Sequence, residues 1–246
     1  MENIIKDRMK NLMKSIQVMP YYKNYAAASG APHNLAAHEE AVELVLSNHG
    51  FTKWIPGKKE KPSNETVWKW INASYEKAAI TSAMPDYSYL AQPCGTHASP
   101  DYIIKLSKNI IFGLECKSGE KNTPMYNSGG VKQALIYVFC SNKTNKTTIY
   151  VGEDVMTMEQ QRLIDELIAK QRALEEEYNA KLKAVDVHHR GFSYYTRPMI
   201  CQSGGANFID YFDHPEREQC EANVYTFIDR NVGEEEVCEK KEEEGL

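Results

Sequence analysis

Long apolar runs are missing from this chain. The longest, residues 110–112 and 134–140, fall far below the roughly 20 residues of a membrane-spanning helix, so no membrane partner is expected. The N-terminal residues alternate charge with apolar side chains and lack the continuous apolar block of a signal peptide. The six cysteines contain no CxxC and no paired Cys/His spacing, which argues against a zinc finger and against a disulfide framework. Reduced thiols in a cytoplasmic protein are the expectation. Internal repeats are absent, and no Pro/Gly/Ser-rich linker divides the chain. A strong charge of one sign is lacking too. The net charge is −5, and residues 234–246, with seven glutamates and two lysines, carry all of it. Acidity therefore does not exclude DNA, although no basic field recommends it.

What is present suits a folded protein. Hydrophobic residues are 42% and charged residues 26% of 246, which excludes wholesale disorder and supplies a substantial core. The expected organisation is one domain over residues 1–233 and an acidic, flexible C-terminal tail over 234–246. Ile4, Ile5, Met9, Leu12, Met13 and Ile16 fall at helical spacing. A second helix is predicted over residues 35–48, capped by Asn34 and closed by Gly50 in left-handed geometry. Residues 58–64 read as an exposed loop, and residues 65–80 as a short helix carrying Trp68 and Trp70. From residue 101 to 151 the period changes to β-rich runs separated by polar turns. Thr157 and Gln160 have capping-box spacing and open a long helix to about Val185, with Leu163, Leu167, Leu174, Tyr178 and Leu182 in one stripe interrupted by Gln171. That helix either pairs with its counterpart in a dimer or covers the sheet. A last helix is predicted over residues 216–230, giving an α/β chain with helices packed on a central sheet.

The chemistry gathers in Ser99-Pro100-Asp101-Tyr102 and Gly113-Leu114-Glu115-Cys116-Lys117-Ser118. Strand side chains alternate, so Glu115 and Lys117 share one face and Cys116 takes the other, where it reads as a packed thiol. A hairpin turning at residues 107–109 brings Asp101 opposite Glu115 if the loop has three residues. With a two-residue turn the register needs a bulge, expected near Pro100. Two carboxylates on adjacent strands form a hard oxygen site suited to Mg2+ with several waters retained. Such an ion polarises a phosphodiester and acidifies a bound water, while Lys117 can orient that water or pair with the phosphate. A cross-strand ion pair on a solvated hairpin explains the same three residues without chemistry.

The run leading into Glu115, Ile110-Ile111-Phe112-Gly113-Leu114, is that of a core strand. In this context the motif resembles the PD-(D/E)XK nucleases, and most closely the type II restriction endonucleases. The likeness takes in Gln92-Pro93-Cys94-Gly95-Thr96-His97 ahead of SPDY, the GLECKS segment, and Pro124-Met125-Tyr126-Asn127-Ser128-Gly129 before the next strand. It covers roughly residues 35–155, with a looser match beyond through FSYYTRP and the terminal helix. The resemblance implies a restriction-endonuclease-like fold, a central mixed β-sheet flanked by helices, and Mg2+-dependent hydrolysis of double-stranded DNA at a short palindrome by a homodimer. Carried over, Asp101 and Glu115 bind metal and Lys117 assists the attacking water. Glu39 is the candidate for a further carboxylate from an earlier helix; it shares a face with Val42, Val45 and Leu46, whereas Glu40 and Glu43 are expected to point outward. Two other readings stay open: a structure-specific repair or recombination nuclease of the same fold, and a DNA-binding protein without activity.

Asn127, Ser128, Gln92 and His97 are candidate nucleic-acid contacts, since amides, hydroxyls and imidazoles suit phosphates and base edges. A plain loop explains them equally well. Trp68, Trp70, Tyr194 and Tyr195 are expected in the core, and His188-His189 on the surface.

Overall fold

Ile5, Met9, Leu12, Met13 and Ile16 recur at helical spacing and form the buried side of α1 (Glu2–Gln17), the first element of the computed structural model. Residues 2–24, 37–76, 78–96, 98–120, 123–127, 130–201 and 211–232 are described. Asn34, His97, Ser128, Gly129 and the acidic segment 234–246 lie outside them.

α2 (His38–Asn48) begins three residues later than expected, with Ala37 at its N-cap and no side-chain cap bond. Gly50 ends this segment at a φ of +78°, the left-handed turn anticipated for it. β1 (Thr52–Lys53) follows, then the exposed segment 57–61. The Ser63 hydroxyl accepts from the Thr66 amide at 3.1 Å and starts α3 (Asn64–Tyr75), which buries Val67, Trp70 and Ile71. β2 (Ser88–Ala91), β3 (Tyr102–Ser107), β4 (Ile110–Gly119), β6 (Leu135–Ser141) and β7 (Lys146–Val151) complete a six-stranded sheet ordered β1-β2-β3-β4-β6-β7. β4 runs parallel to β6 and antiparallel to β3, so the sheet is mixed. The short strands β5 (Met125–Tyr126) and β8 (Ile200–Cys201) pair separately.

One sheet face, carrying Tyr102, Ile104, Leu114 and Cys116, is covered by α1, α2 and α6 (Arg217–Val232). The other, carrying Ile103, Ile111, Tyr137 and Phe139, is covered by α3. The chain is therefore α/β, a six-stranded mixed sheet flanked by helices. β4 passes beneath α3 at Gly113, where a Cβ would stand 2.3 Å from the Leu135 side chain and 3.1 Å from that of Ile71. After the single turn α4 (Gly152–Val155), the expected capping box of Thr157 and Gln160 opens α5 (Met158–Ala184). α5 buries no residue and does not cover the sheet. No helix among the described residues is long and apolar enough to cross a membrane.

Candidate active site

The β3–β4 hairpin sets the geometry. Tyr102 pairs with Leu114, Ile103 with Gly113 and Lys105 with Ile111, which is the register of a three-residue loop. The turn itself is tighter: Ser107 pairs with Ile110, and an irregularity between Lys105 and Ser107 absorbs the difference. The bulge thus lies at the turn end of the hairpin and not near Pro100, and the active-site end keeps Asp101 in line with Glu115.

Ladder pairing of β3 with β4 stops at Tyr102, whereas β4 continues to Gly119 alongside β6. Past Leu114, β4 therefore has an edge that no strand among the described residues occupies. Asp101 fills its first position: its Oδ2 accepts the Cys116 amide at 2.7 Å, replacing a ladder bond with a carboxylate. Glu115 and Lys117 project on the face opposite Cys116, and Lys117 Nζ donates to Glu115 Oε1 at 2.5 Å. Both side chains are largely withdrawn from water, at 4% and 11% exposure. The other Glu115 oxygen, Oε2, is buried without a hydrogen-bond partner among the described residues.

Such an arrangement holds more negative charge than its one ammonium neutralises. Burial, the neighbouring Glu115 and, more weakly, Glu39 push the Asp101 carboxyl up to about 7, against the opposing pull of the Cys116 amide and Lys117. Burial, with Asp101, Glu39 and Glu115 nearby, likewise pushes the Cys116 thiol well above its ordinary range, so it stays a neutral packing group. Burial and the charge of Glu115 raise the Cys94 thiol to about 11, which places the β2–β3 connection beside the same cluster.

Glu39, half-buried in the first turn of α2, approaches from the Tyr102 side of the sheet, and its carbonyl accepts the Tyr102 hydroxyl at 2.8 Å. Its charge reaches Asp101, so Asp101, Glu115, Lys117 and Glu39 share one electrostatic field. Glu43 does not point outward as expected. It accepts from Lys53 at 2.9 Å and from the Tyr89 hydroxyl at 3.2 Å, because residues four apart on a helix lie on one side. No group of three or more His, Cys, Asp or Glu among the described residues is arranged to hold a metal. The unpartnered Glu115 Oε2 and the nearby Asp101 carboxylate nevertheless match the needs of Mg2+, which takes one or two protein carboxylates and keeps waters for the rest.

A cavity of about 490 Å3 reaches Ser99, two residues before Asp101, although Asp101, Glu115 and Lys117 do not line it; Ser99, Asn127 and Lys132 from the body and Asp165, Arg172, Tyr195 and Arg197 from α5 and the segment beside it do. Neither Arg172 nor Arg197 forms an ion pair with another described residue, although Arg162, Lys170 and Lys181 on the same helix are all paired. Of the four aromatics expected in the core, Trp70 is buried in it and Trp68 packs half-buried against it while also lining this space, whereas Tyr194 and Tyr195 are exposed. Asn127 faces the cavity; Gln92 donates its amide to the Asp101 carbonyl at 2.6 Å while its side chain stays exposed. Sequence reading missed Arg172 and Arg197, whose common signal is cationic residues without a carboxylate partner, legible only in three dimensions. Comparisons of this chain with protein-family models, with curated proteins and with solved structures find no match.

Proposed function

We propose that the chain is a Mg2+-dependent endonuclease of the PD-(D/E)XK kind, with a restriction-endonuclease-like fold, that hydrolyses phosphodiester bonds of double-stranded DNA. The observation that carries this reading is the convergence of Asp101, Glu115 and Lys117 at the unpaired edge of a buried strand, with one carboxylate oxygen lacking any partner. Decorative ion pairs lie on solvated faces; this one is nearly dry.

Asp101 and Glu115 would hold the divalent cation, the unpartnered Glu115 Oε2 among their oxygens, and Glu39 would add negative charge from the other side. The cation, when bound, supplies positive charge to the phosphate and acidifies a water. Lys117 directs that water toward phosphorus and pairs with a non-bridging oxygen. The water oxygen bonds to phosphorus as the bond to the leaving sugar oxygen breaks; the attacking water gives one proton to solvent, and the leaving oxygen takes one from a solvent water to depart as the alcohol. Arg172, Arg197 and Lys132 bind backbone phosphates, with Trp68 and Tyr195 beside them to stack on sugars or bases. Cutting both strands at a short palindrome, in the type II restriction manner, needs two such clusters related by a two-fold axis, hence a homodimer. The four described cysteines are free thiols, in keeping with work in the cytoplasm.

Digestion of an unmethylated plasmid of known sequence tests the reading. Discrete bands in Mg2+, none in excess chelator and none with Asp101→Ala are expected. Undiminished cutting under chelation, or no cutting of any DNA by the wild-type chain, refutes it.

A further inference from the structure

α5 presents two faces. Its inner face meets the segment that follows it: Asn179 donates to the Tyr194 carbonyl at 2.8 Å and accepts its amide at 2.6 Å, and Glu175 accepts from Thr196. On the adjoining side Leu163, Leu167, Leu174, Tyr178 and Leu182 are 41–56% exposed, Leu167 also bordering the groove that α5 forms with residues 194–200. A 27-residue helix that buries no residue leaves this apolar stripe exposed along its length.

We infer that this stripe is the contact surface for α5 of a second copy of the chain, in an antiparallel pair. The first support is spacing. With Gln171 included, the stripe runs 163, 167, 171, 174, 178, 182, an order of steps that reads the same in both directions. Reversal about its midpoint sets Leu163 against Leu182, Leu167 against Tyr178 and Gln171 against Leu174, so each apolar side chain except Leu174 meets an apolar partner. An isologous two-fold contact demands such self-complementarity.

The second support is charge. Glu166, Lys170, Glu177 and Lys181 border one edge of the stripe and now pair only within the helix, Glu166 with Lys170 at 2.6 Å and Glu177 with Lys181. Antiparallel helices bring like edges together. Glu166 then meets Lys181 of the second copy, and Lys170 meets its Glu177, twice over by symmetry. A parallel pair would instead set this edge against Ile164, Ile168 and Glu175, which offer its lysines one carboxylate and its glutamates no cation. Edge charges of this kind select orientation and partner.

The inference deepens the dimer of the nuclease reading, yet its test involves no cleavage, so the two fail separately. Light scattering on the full chain is expected to give twice 28.0 kDa. Leu167→Glu with Leu174→Glu should halve that mass while near-ultraviolet circular dichroism stays unchanged. Two charge variants guard against a folding defect. Glu166→Lys/Glu177→Lys and Lys170→Glu/Lys181→Glu should each be monomeric alone, and mixing them should restore the dimer. A monomeric wild type, a dimer indifferent to the leucine and charge variants alike, or a mixture that stays monomeric overturns the antiparallel pair.

Discussion

Asp101→Asn should make the metal-free protein more stable at alkaline pH while abolishing its chemistry. The Asp101 carboxyl is displaced from the usual 3.8 to about 7 in the fold, chiefly by burial and then by Glu115. Between those values the folded chain binds more protons than the unfolded one. The group's contribution is therefore intact below pH 3.8 and is lost progressively as the pH rises to about 7. At about 1.4 kcal/mol per pH unit the full displacement amounts to roughly 4 kcal/mol. Of this, roughly 2–3 kcal/mol accrues above about pH 5, within reach of ordinary buffers. Asparagine keeps an acceptor for the Cys116 amide, so the hairpin geometry survives the change. Urea unfolding in chelator at about pH 5 and about pH 8, wild type beside variant, isolates the effect from every other carboxylate. The variant should gain roughly 2–3 kcal/mol on the wild type across that interval. Adding Mg2+ at the higher pH should then restore the wild type and do little for the variant. Parallel pH profiles for the two proteins would refute the reasoning, since Asp101 would then ionise as it does in the unfolded chain.

Lys117→Ala should lower the initial cleavage rate at least about 100-fold, the ordinary worth of a positioned proton-transfer group, and a fully active variant would return the hairpin to an inert ion pair. Arg172→Ala and Arg197→Ala should each weaken duplex binding and reduce the slope of log affinity against log salt by about 0.9, measured by anisotropy with Ca2+ in place of Mg2+. Gly113→Ala should cost about 1–3 kcal/mol in denaturant unfolding, because its Cβ would collide with Leu135. His38, buried with neither ring nitrogen bonded to a described residue, is held by burial at about 3, so its share of stability is present above pH 6.5 and is lost as pH falls toward 3. His38→Leu should consequently unfold less readily than the wild type in acid; an identical acid midpoint would contradict this.

Local rules made much of this fold legible in the sequence. The hairpin register, the Thr157 capping box and the left-handed Gly50 depend on residues a few positions apart, and each is found where the residues put it. The gathering of Asp101, Glu115 and Lys117 follows from that register, so the heart of the candidate site was legible too. The errors lie where distant elements meet. Glu43 turns inward because Lys53, Tyr89 and Tyr102 wait there, none of them evident from a helical wheel. Tyr195, Arg172 and Trp68 come from three separate segments, and only tertiary structure shows that they line one cavity. Composition favoured a buried Tyr194 and Tyr195, yet the chain leads both along an exposed helix, away from the sheet.

The independence of α5 from the sheet divides the molecule's resistance to opening. Amides of β6, and of β4 as far as Cys116, can exchange with solvent only when the core itself comes apart, since these residues are buried. Amides of α5 have no such anchor: with no residue buried, the helix can fray and reform while the sheet stays shut. Its protection against hydrogen exchange is then set by whatever covers its outer stripe. If that cover is a second copy, α5 exchange should slow as the protein is concentrated, while exchange in the strands stays constant.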